Sequence, residues 1–342
     1  MPLPSRFHHA QGSTVASSPQ GRRSNYMIRS PFSIARVGCV AAAAVLAAFT
    51  SPADAQYTIE SWGSNLSGQQ NLPSPNAGFT AIAGGGGHSM ALLSGGTIAA
   101  WGLNTSGQCN VPAGLTGVTR IEAGNLHSLV LKSNGSAVAW GWNAFGQCNV
   151  PSPNKNFIGV SAGREHSVLL KSGGTVVTFG RNNFGQCSPP RGLKNVVAVS
   201  SNFDHNLALR SDGSIAAWGR NDFGQCVIPV PNSDFVAVAT GGFHEGFSMG
   251  LKADGSIVVW GSNNYGQHSV PLPNAGFVAI AAGSTHCMAL RIDGTVVCWG
   301  AGTTPPSDPP VFPEFGQSIV PTSLAGVVAI AAGNNHSLVL RP

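Results

Sequence analysis

An aromatic residue followed by glycine recurs along this chain at Trp62-Gly63, Trp101-Gly102, Trp140-Gly141, Phe179-Gly180, Trp218-Gly219, Trp260-Gly261 and Trp299-Gly300. The spacing is 39 residues with a single 42. A fixed period of this length means stacked structural units, none of which buries a core alone. Two further series agree: Gly-Gln pairs begin at Gly68, Gly107, Gly146, Gly185, Gly224, Gly266 and Gly316, and β-branched residues keep step from Ile82 to Ile330. All three count seven units.

Inside one unit, Phe277 to Ala281, Cys287 to Arg291 and Thr295 to Trp299 read as strands, with Asp293-Gly294 as the hairpin between the last two. A short fourth strand is expected around Ser269-Val270, ended by Pro271. Three to four strands per unit and no helical periodicity describe propeller blades. The phase of the repeat adds closure. Residues 57–63 match only a third strand, whereas the last residues, His336 to Arg341, supply only the earlier strands of a unit. Pairing the two fragments completes a seventh blade and removes the open edges of an array. The expected fold is therefore an all-β, seven-bladed β-propeller over residues 56–342, its last blade closed by both chain ends.

A histidine marks most units, at His88, His127, His166, His205, His286 and His336. In the fifth unit Phe247 takes that position, which places His244 in a three-residue insertion and explains the interval of 42. A second, proline-rich insertion covers residues 301–315.

Forty-five glycines and 23 prolines are mostly turn punctuation at fixed intervals. The formal charge of +5 is concentrated near the start, where five arginines and one aspartate precede position 56. The remainder is nearly balanced, with no stripe to suit a polyanion, so nucleic acid is not an expected partner. Residues 37–49 form an apolar run too short to span a bilayer, preceded by Arg29 and Arg36 and followed by Ala53-Asp54-Ala55. That layout reads as a signal peptide over residues 1–55, with a second start available at Met27. The mature chain is then expected to be secreted, periplasmic or on the cell surface, without a membrane span, and monomeric.

The phrase V-x-I-A-A-G-x-x-H-S-L-x-L-K-x-D-G-x-V-x-x-W-G-x-N-x-x-G-Q, visible from Val278 to Gln317 apart from the insertion, resembles the regulator of chromosome condensation repeat. The resemblance implies a seven-bladed propeller with this closure. It does not imply one activity, because members include a nuclear exchange factor, a plant ultraviolet receptor and a secreted β-lactamase inhibitory protein. The export signal and the W-G-x-N-x-x-G-Q-x-x-V-P phrase at Trp101 to Pro112 look most like the last.

Several patterns invite chemistry and fail on context. One histidine per blade is spread around a ring, whereas a metal needs converging ligands, so hydrogen bonding within each blade is expected and no metal or cofactor. Cys109, Cys148, Cys187 and Cys226 occupy one repeat position; on a ring of about 15 Å radius they would lie about 13 Å apart, beyond the roughly 7 Å Cα limit of a disulfide. Cys287 and Cys298 would face each other, and could bond, if their hairpin loop has four residues. Gly246-Phe247-Ser248-Met249-Gly250 has the spelling of a nucleophile elbow but aligns with ordinary strand residues. No enzyme activity is expected.

Repeated positions build the scaffold, so those that vary between units are free to specify a partner. Ahead of each histidine, units three to five carry Arg164-Glu165, Phe203-Asp204 and the insertion with Phe243, His244 and Glu245. Aromatic and charged side chains gathered on neighbouring loops suit a protein-binding hot spot. The function expected is a non-enzymatic scaffold binding a protein or cell-envelope polymer through one face. An inhibitor of a β-lactamase or penicillin-binding enzyme, and an enzyme with a shallow site on the same face, are the alternatives; a guanine-nucleotide exchange factor comes last.

Overall fold

The computed structural model describes residues 57–306 and 311–342, and the expected signal peptide lies outside them. The described residues form seven three-stranded antiparallel sheets. Blade 1 comprises Phe79–Gly84, His88–Leu93 and Ile98–Gly102. Blades 2 to 6 follow over residues 118–141, 157–180, 196–219, 235–261 and 277–300. Blade 7 takes Ala329–Ala332 and His336–Arg341 from the end of the chain and its third strand, Thr58–Gly63, from the start. Thr58 pairs with Arg341 and Gly63 with His336, in the register expected from the repeat phase. The expected fourth strand is absent: Ser269-Val270 follows a turn and lies in irregular chain.

Each interface between blades is an apolar layer. Trp299 of blade 6 packs with Ala237, Ala239 and Met249 of blade 5, and Trp62 of blade 7 with Met288 and Leu290 of blade 6. Burying one such large side chain contributes about 1.5 to 3 kcal/mol, so these layers are the main adhesive of the ring.

Register between the layers comes from a hydrogen-bond relay, and here the expectation for the histidines needs correction. Their partners lie on the next blade, not within their own. His88 Nε2 meets Ser128 Oγ at 3.2 Å, His127 meets Ser167 at 3.0 Å, His166 meets Asn206 Oδ1 at 2.7 Å and His205 meets Ser248 at 3.0 Å. His286 meets Ser337 at 3.1 Å, and His336 meets Ser89 at 3.0 Å across the closure. Each of these serine hydroxyls donates its proton to a main-chain carbonyl, Ser128 to Gln108 and Ser337 to Gln317, for example. The serine oxygen must then accept, which assigns the Nε2–H tautomer to the imidazoles.

The same glutamine carbonyl also accepts the anchor indole of the following blade, as Gln108 does from Trp140 at 3.0 Å and Gln267 from Trp299 at 2.7 Å. The glutamine side chain in turn accepts the amide two residues earlier, Gln108 Oε1 from Ser106 and Gln147 Oε1 from Phe145. Two glycines make room for this. A Cβ on Gly102 would stand 2.6 Å from the Gly87 carbonyl, and one on Gly85 would stand 2.5 Å from Cε1 of His88.

Between blades 5 and 6 the relay changes chemistry. Phe247 stands where the others have histidine, and Cys287 stands where they have serine or asparagine. Both are fully buried in one apolar cluster. A polar pair has been exchanged for an apolar pair at a single interface. Reversing both positions should therefore restore a seventh link. Phe247→His with Cys287→Ser is expected to exceed Phe247→His alone by about 1 kcal/mol, read as a higher midpoint in urea unfolding, because histidine alone would face a weak sulfur acceptor.

Burial holds the imidazoles of His88, His127, His205 and His286 down at about 3, and those of His166 and His336 at about 4, against 6.5 when unfolded. Repulsion between neighbouring histidines acts in the same direction at His88, His127, His205 and His286. Between those limits the unfolded chain binds more protons than the native one. The histidine contribution to stability is thus intact above pH 6.5, falls as the pH drops toward 4, and levels off once the native imidazoles protonate, with a slope of up to about 1.4 kcal/mol per pH unit for each histidine. Urea midpoints measured from pH 7.5 to 4.5 should show this loss, and His88→Phe with Ser128→Cys should shallow it.

Candidate functional site

The first strand of every blade lines a central channel. Its open volume is about 50 Å³, far below the several hundred Å³ of small-molecule pockets. Ser161, Ser200, Ser201 and Thr240 stitch its wall: Ser161 Oγ accepts from the Ser201 amide at 2.9 Å, and the Ser200 and Thr240 hydroxyls lie 2.9 Å apart. Where other blades place alanine, glycine or serine, blade 2 carries Arg120 and Glu122. Burial in the channel pushes the Glu122 carboxyl up to about 8, against the pull of Arg120.

The loops ahead of the histidine positions and the turns after the third strands sit at the same end of the blades. The amide after each aromatic-glycine pair donates to the carbonyl just before the histidine position, Arg181 to Glu165 at 2.8 Å, Arg220 to Asp204 at 2.9 Å and Ser262 to Gly246 at 3.0 Å. Loops between first and second strands form an inner circle round the channel mouth, and the turns after the third strands form an outer one. Inner loops bind their neighbours through the backbone: Gly86 donates to Gly124, Asn125 to Gly163, Arg164 to Phe203, Gly242 to Gly283, Ser284 to Asn334 and Asn334 to Gly85. Among the described residues this circle lacks the step from blade 4 to blade 5.

That step is where the sequence-predicted residues meet. Phe203, at φ +37°, turns its ring inward, and its amide is taken by its own neighbour Asn202. Its ring lies 4.9 Å from Phe243 and 5.8 Å from His244, while the Arg164 guanidinium stacks 4.5 Å above it. Phe203 is buried and forms the floor of this cluster; His244 is exposed above it. Asp204 is buried too, its Oδ1 accepting from Gln186 Nε2 at 3.1 Å. Burial raises its carboxyl above the usual range, although Arg164, Arg181 and Arg220 pull it down. Glu165 holds Arg181 at 2.6 Å, and Glu245 accepts from Ser262 and Asn264. Glu165 thereby orients Arg181, and Glu245 ties the insertion to the turn after blade 5.

The proline-rich insertion joins the same surface. Phe312 lies 6.1 Å from Phe243 and 6.3 Å from Tyr265. Part of that insertion, residues 307–310, lies outside the described residues.

The outer circle escaped the sequence reading. Arg181 stacks 5.5 Å from Phe145 and 5.8 Å from Phe184, and Arg220 stacks 4.9 Å from Phe184 while its Nε binds Asp222 at 2.6 Å. Trp142, Phe145, Phe184 and Phe223 are each about two-fifths exposed. A signal for them was present: the residue before Gly-Gln is serine at Ser67 and Ser106 but aromatic at Phe145, Phe184, Phe223, Tyr265 and Phe315, the last of them buried. Aromatic and arginine side chains thus gather on the sector from the turn after blade 2 to blade 5, whereas the turns after blades 7 and 1 carry Ser67 and Ser106, with Leu66 exposed and no aromatic side chain.

The remaining polar groups are committed to the scaffold. Ser248 is fully buried and donates to the Gln225 carbonyl at 2.9 Å. Cys109, Cys148, Cys187 and Cys226 point at carbonyls, and burial raises their thiols to about 11 or 12. No group of three metal-ligating side chains occurs among the described residues. Cys287 and Cys298 are free. Cys287 pairs with Trp299 and Cys298 with Met288, because the hairpin loop is one residue longer than their expected bond requires. The two thiols consequently point into different interfaces.

Residues 79–108, 118–147, 157–186, 196–225, 235–267 and 277–303 each match the regulator of chromosome condensation (RCC1) repeat. No curated protein sequence matches the chain. Among solved structures, Prp20p from Saccharomyces cerevisiae, described with its binding to Gsp1p and histones, is 21% identical over 83% of this chain and 91% of its own, with a TM-score of 0.68. Yeast RCC1 (Prp20) in complex with Kap60 is 19% identical over 95% of this chain and 96% of its own, with a TM-score of 0.69. The receptor kinase CR4 ectodomain of Physcomitrella patens is 22% identical over 72% of this chain and 68% of its own, with a TM-score of 0.59. At these identities the likeness is one of fold.

Proposed function

The chain belongs to the RCC1 repeat family, and from that premise we propose that it is an exported, non-enzymatic scaffold that binds a partner protein through the blade 2 to 5 sector of one face. The observation that carries this reading is the gathering of Trp142, Phe145, Phe184, Phe203, Phe243 and three stacked arginines on a single sector of an otherwise plain ring. Tryptophan and arginine are over-represented among residues that dominate binding energy, and planar groups held by neighbours lose little entropy on association.

Two other lines support the reading. The channel is too narrow for a small substrate, and the histidines and the buried serines they meet are tied into the relay. The fold also has precedent for protein partners, since Prp20p is described with Gsp1p, histones and Kap60. Export rests on the apolar run at residues 37–49 and the Ala53-Asp54-Ala55 site behind it.

Capture from an envelope extract by immobilised residues 56–342 tests the assignment. A specific protein should be retained, and Trp142→Ala, Phe184→Ala or His244→Ala should each weaken retention at least tenfold, while Leu66→Ala, on the bare side, should not. Retention that survives all three arc substitutions would remove the site, and turnover of a substrate by the pure protein would remove the scaffold class.

A further inference from the structure

The near-balance of charge holds for the propeller as a whole and fails at its hairpin end, opposite the aromatic sector. The last residue of the second strand is basic in six blades, at Lys132, Lys171, Arg210, Lys252, Arg291 and Arg341, and is Leu93 in blade 1. In blades 4 to 6 the hairpin that follows supplies an aspartate two residues later, at Asp212, Asp254 and Asp293, and in blade 7 Glu60 holds Arg341 at 3.1 Å. Blades 2 and 3 carry Asn134 and Gly173 there instead. Asn134 keeps the turn, its Oδ1 accepting from the Ser136 amide at 3.0 Å as Asp212 accepts from Ser214 at 2.9 Å, but it brings no charge.

The loops entering blades 3 and 4 add cations to the same place. Phe157 donates its amide to Gly135 and Ser172 donates to Asn156, which seats the loop bearing Lys155 between the hairpins of blades 2 and 3. Val196 donates to Gly174 and Ser211 to Asn195, which seats the loop bearing Arg191 and Lys194 between those of blades 3 and 4. Lys132, Lys155, Lys171, Arg191 and Lys194 therefore form one band, the two loops fully exposed. Among the described residues none of the five enters an ion pair, and the segments that make the band contain no carboxylate. Glu165 is at the other end of the blades, on Arg181, and Glu122 lines the channel.

We infer that this basic band rests on an anionic membrane surface, in a reversible contact that leaves the aromatic sector facing away from the bilayer. Export, as read above, brings the chain to such a surface; the partner sector takes no part in the contact. Four of the five cations are lysines, compact charges on flexible stems that suit a diffuse field better than the guanidinium forks built for a single phosphate. Each basic residue near an anionic bilayer strengthens binding about fivefold, and the field decays within a Debye length. A single-stranded nucleic acid would need aromatic faces beside the cations. The band exposes none, since Phe157 is buried with Lys171 Nζ 5.8 Å from its ring. The tryptophan and arginine anchors that suit a folded protein gather at the opposite end.

Co-sedimentation of residues 56–342 with vesicles of mixed phosphatidylglycerol and phosphatidylcholine tests the contact, beside pure phosphatidylcholine vesicles and labelled oligothymidylate. Binding to the mixed vesicles alone is expected, and its loss between about 0.05 and 0.5 M salt. Lys155→Gln with Lys194→Gln should weaken it at least tenfold. Lys252→Gln with Arg291→Gln removes the same charge from the compensated side and should weaken it less than threefold. Near-ultraviolet circular dichroism checks the fold of each variant, while the lipid comparison and the salt series use the unaltered chain. Equal binding to both kinds of vesicle, no binding at low salt, equal loss in the two double variants, or binding of oligothymidylate in place of vesicles would overturn the inference. Vesicle failure beside capture of a protein by the aromatic sector would sink the membrane contact alone and leave the scaffold reading standing.

Discussion

Everything in this molecule hangs on the glutamine carbonyl that sits between adjacent blades. It accepts the serine hydroxyl and the anchor indole of the following blade, and the serine oxygen accepts the histidine of the preceding one, as at Gln108, Ser128, Trp140 and His88. Apolar layers supply most of the adhesion, but adhesion alone would let flat β faces slide. The relay fixes their register with bonds of known direction in a dry interface, where an unmade bond is costly. It also spans the ring closure through His336 and Ser89, so the last blade is tied to the first by the same bond that links the others except blades 5 and 6.

Much of this was legible in the sequence because a repeat compares itself. The phase of residues 57–63 against His336 to Arg341 foretold the split blade, and the displaced His244 exposed Phe247 as its stand-in. The partner of each histidine was not legible, since a constant interval is equally consistent with contacts inside a blade and between blades. The Cys287 and Cys298 pair failed for a finer reason. One residue in a hairpin loop reverses which face a strand residue presents. Phe203 looked like an exposed loop aromatic, but a positive φ turns it into the floor of the cluster. The outer circle was missed because the N-x-x-G-Q turn reads as scaffold, although the residue inside it changes from serine to phenylalanine between Ser106 and Phe145.

Once the scaffold positions are set aside, the molecule is strongly asymmetric. Seven nearly identical blades would give a face with seven-fold monotony, yet aromatic and arginine side chains crowd the sector over blades 2 to 5, and the two insertions meet at its edge through Phe243 and Phe312. The missing backbone step between blades 4 and 5 falls in the same place. The ring therefore presents its aromatic and arginine groups off axis, away from the channel. Binding at that sector would need no change in the scaffold.

Hydrogen exchange of the propeller with and without its captured partner tests that off-axis claim most directly. Protection should appear in the segments 142–146, 164–165, 181–185, 220–224 and 243–246, with residues 64–68 and 103–107 unchanged. Protection spread evenly round the ring, or confined to the hairpin end of the blades, would contradict it.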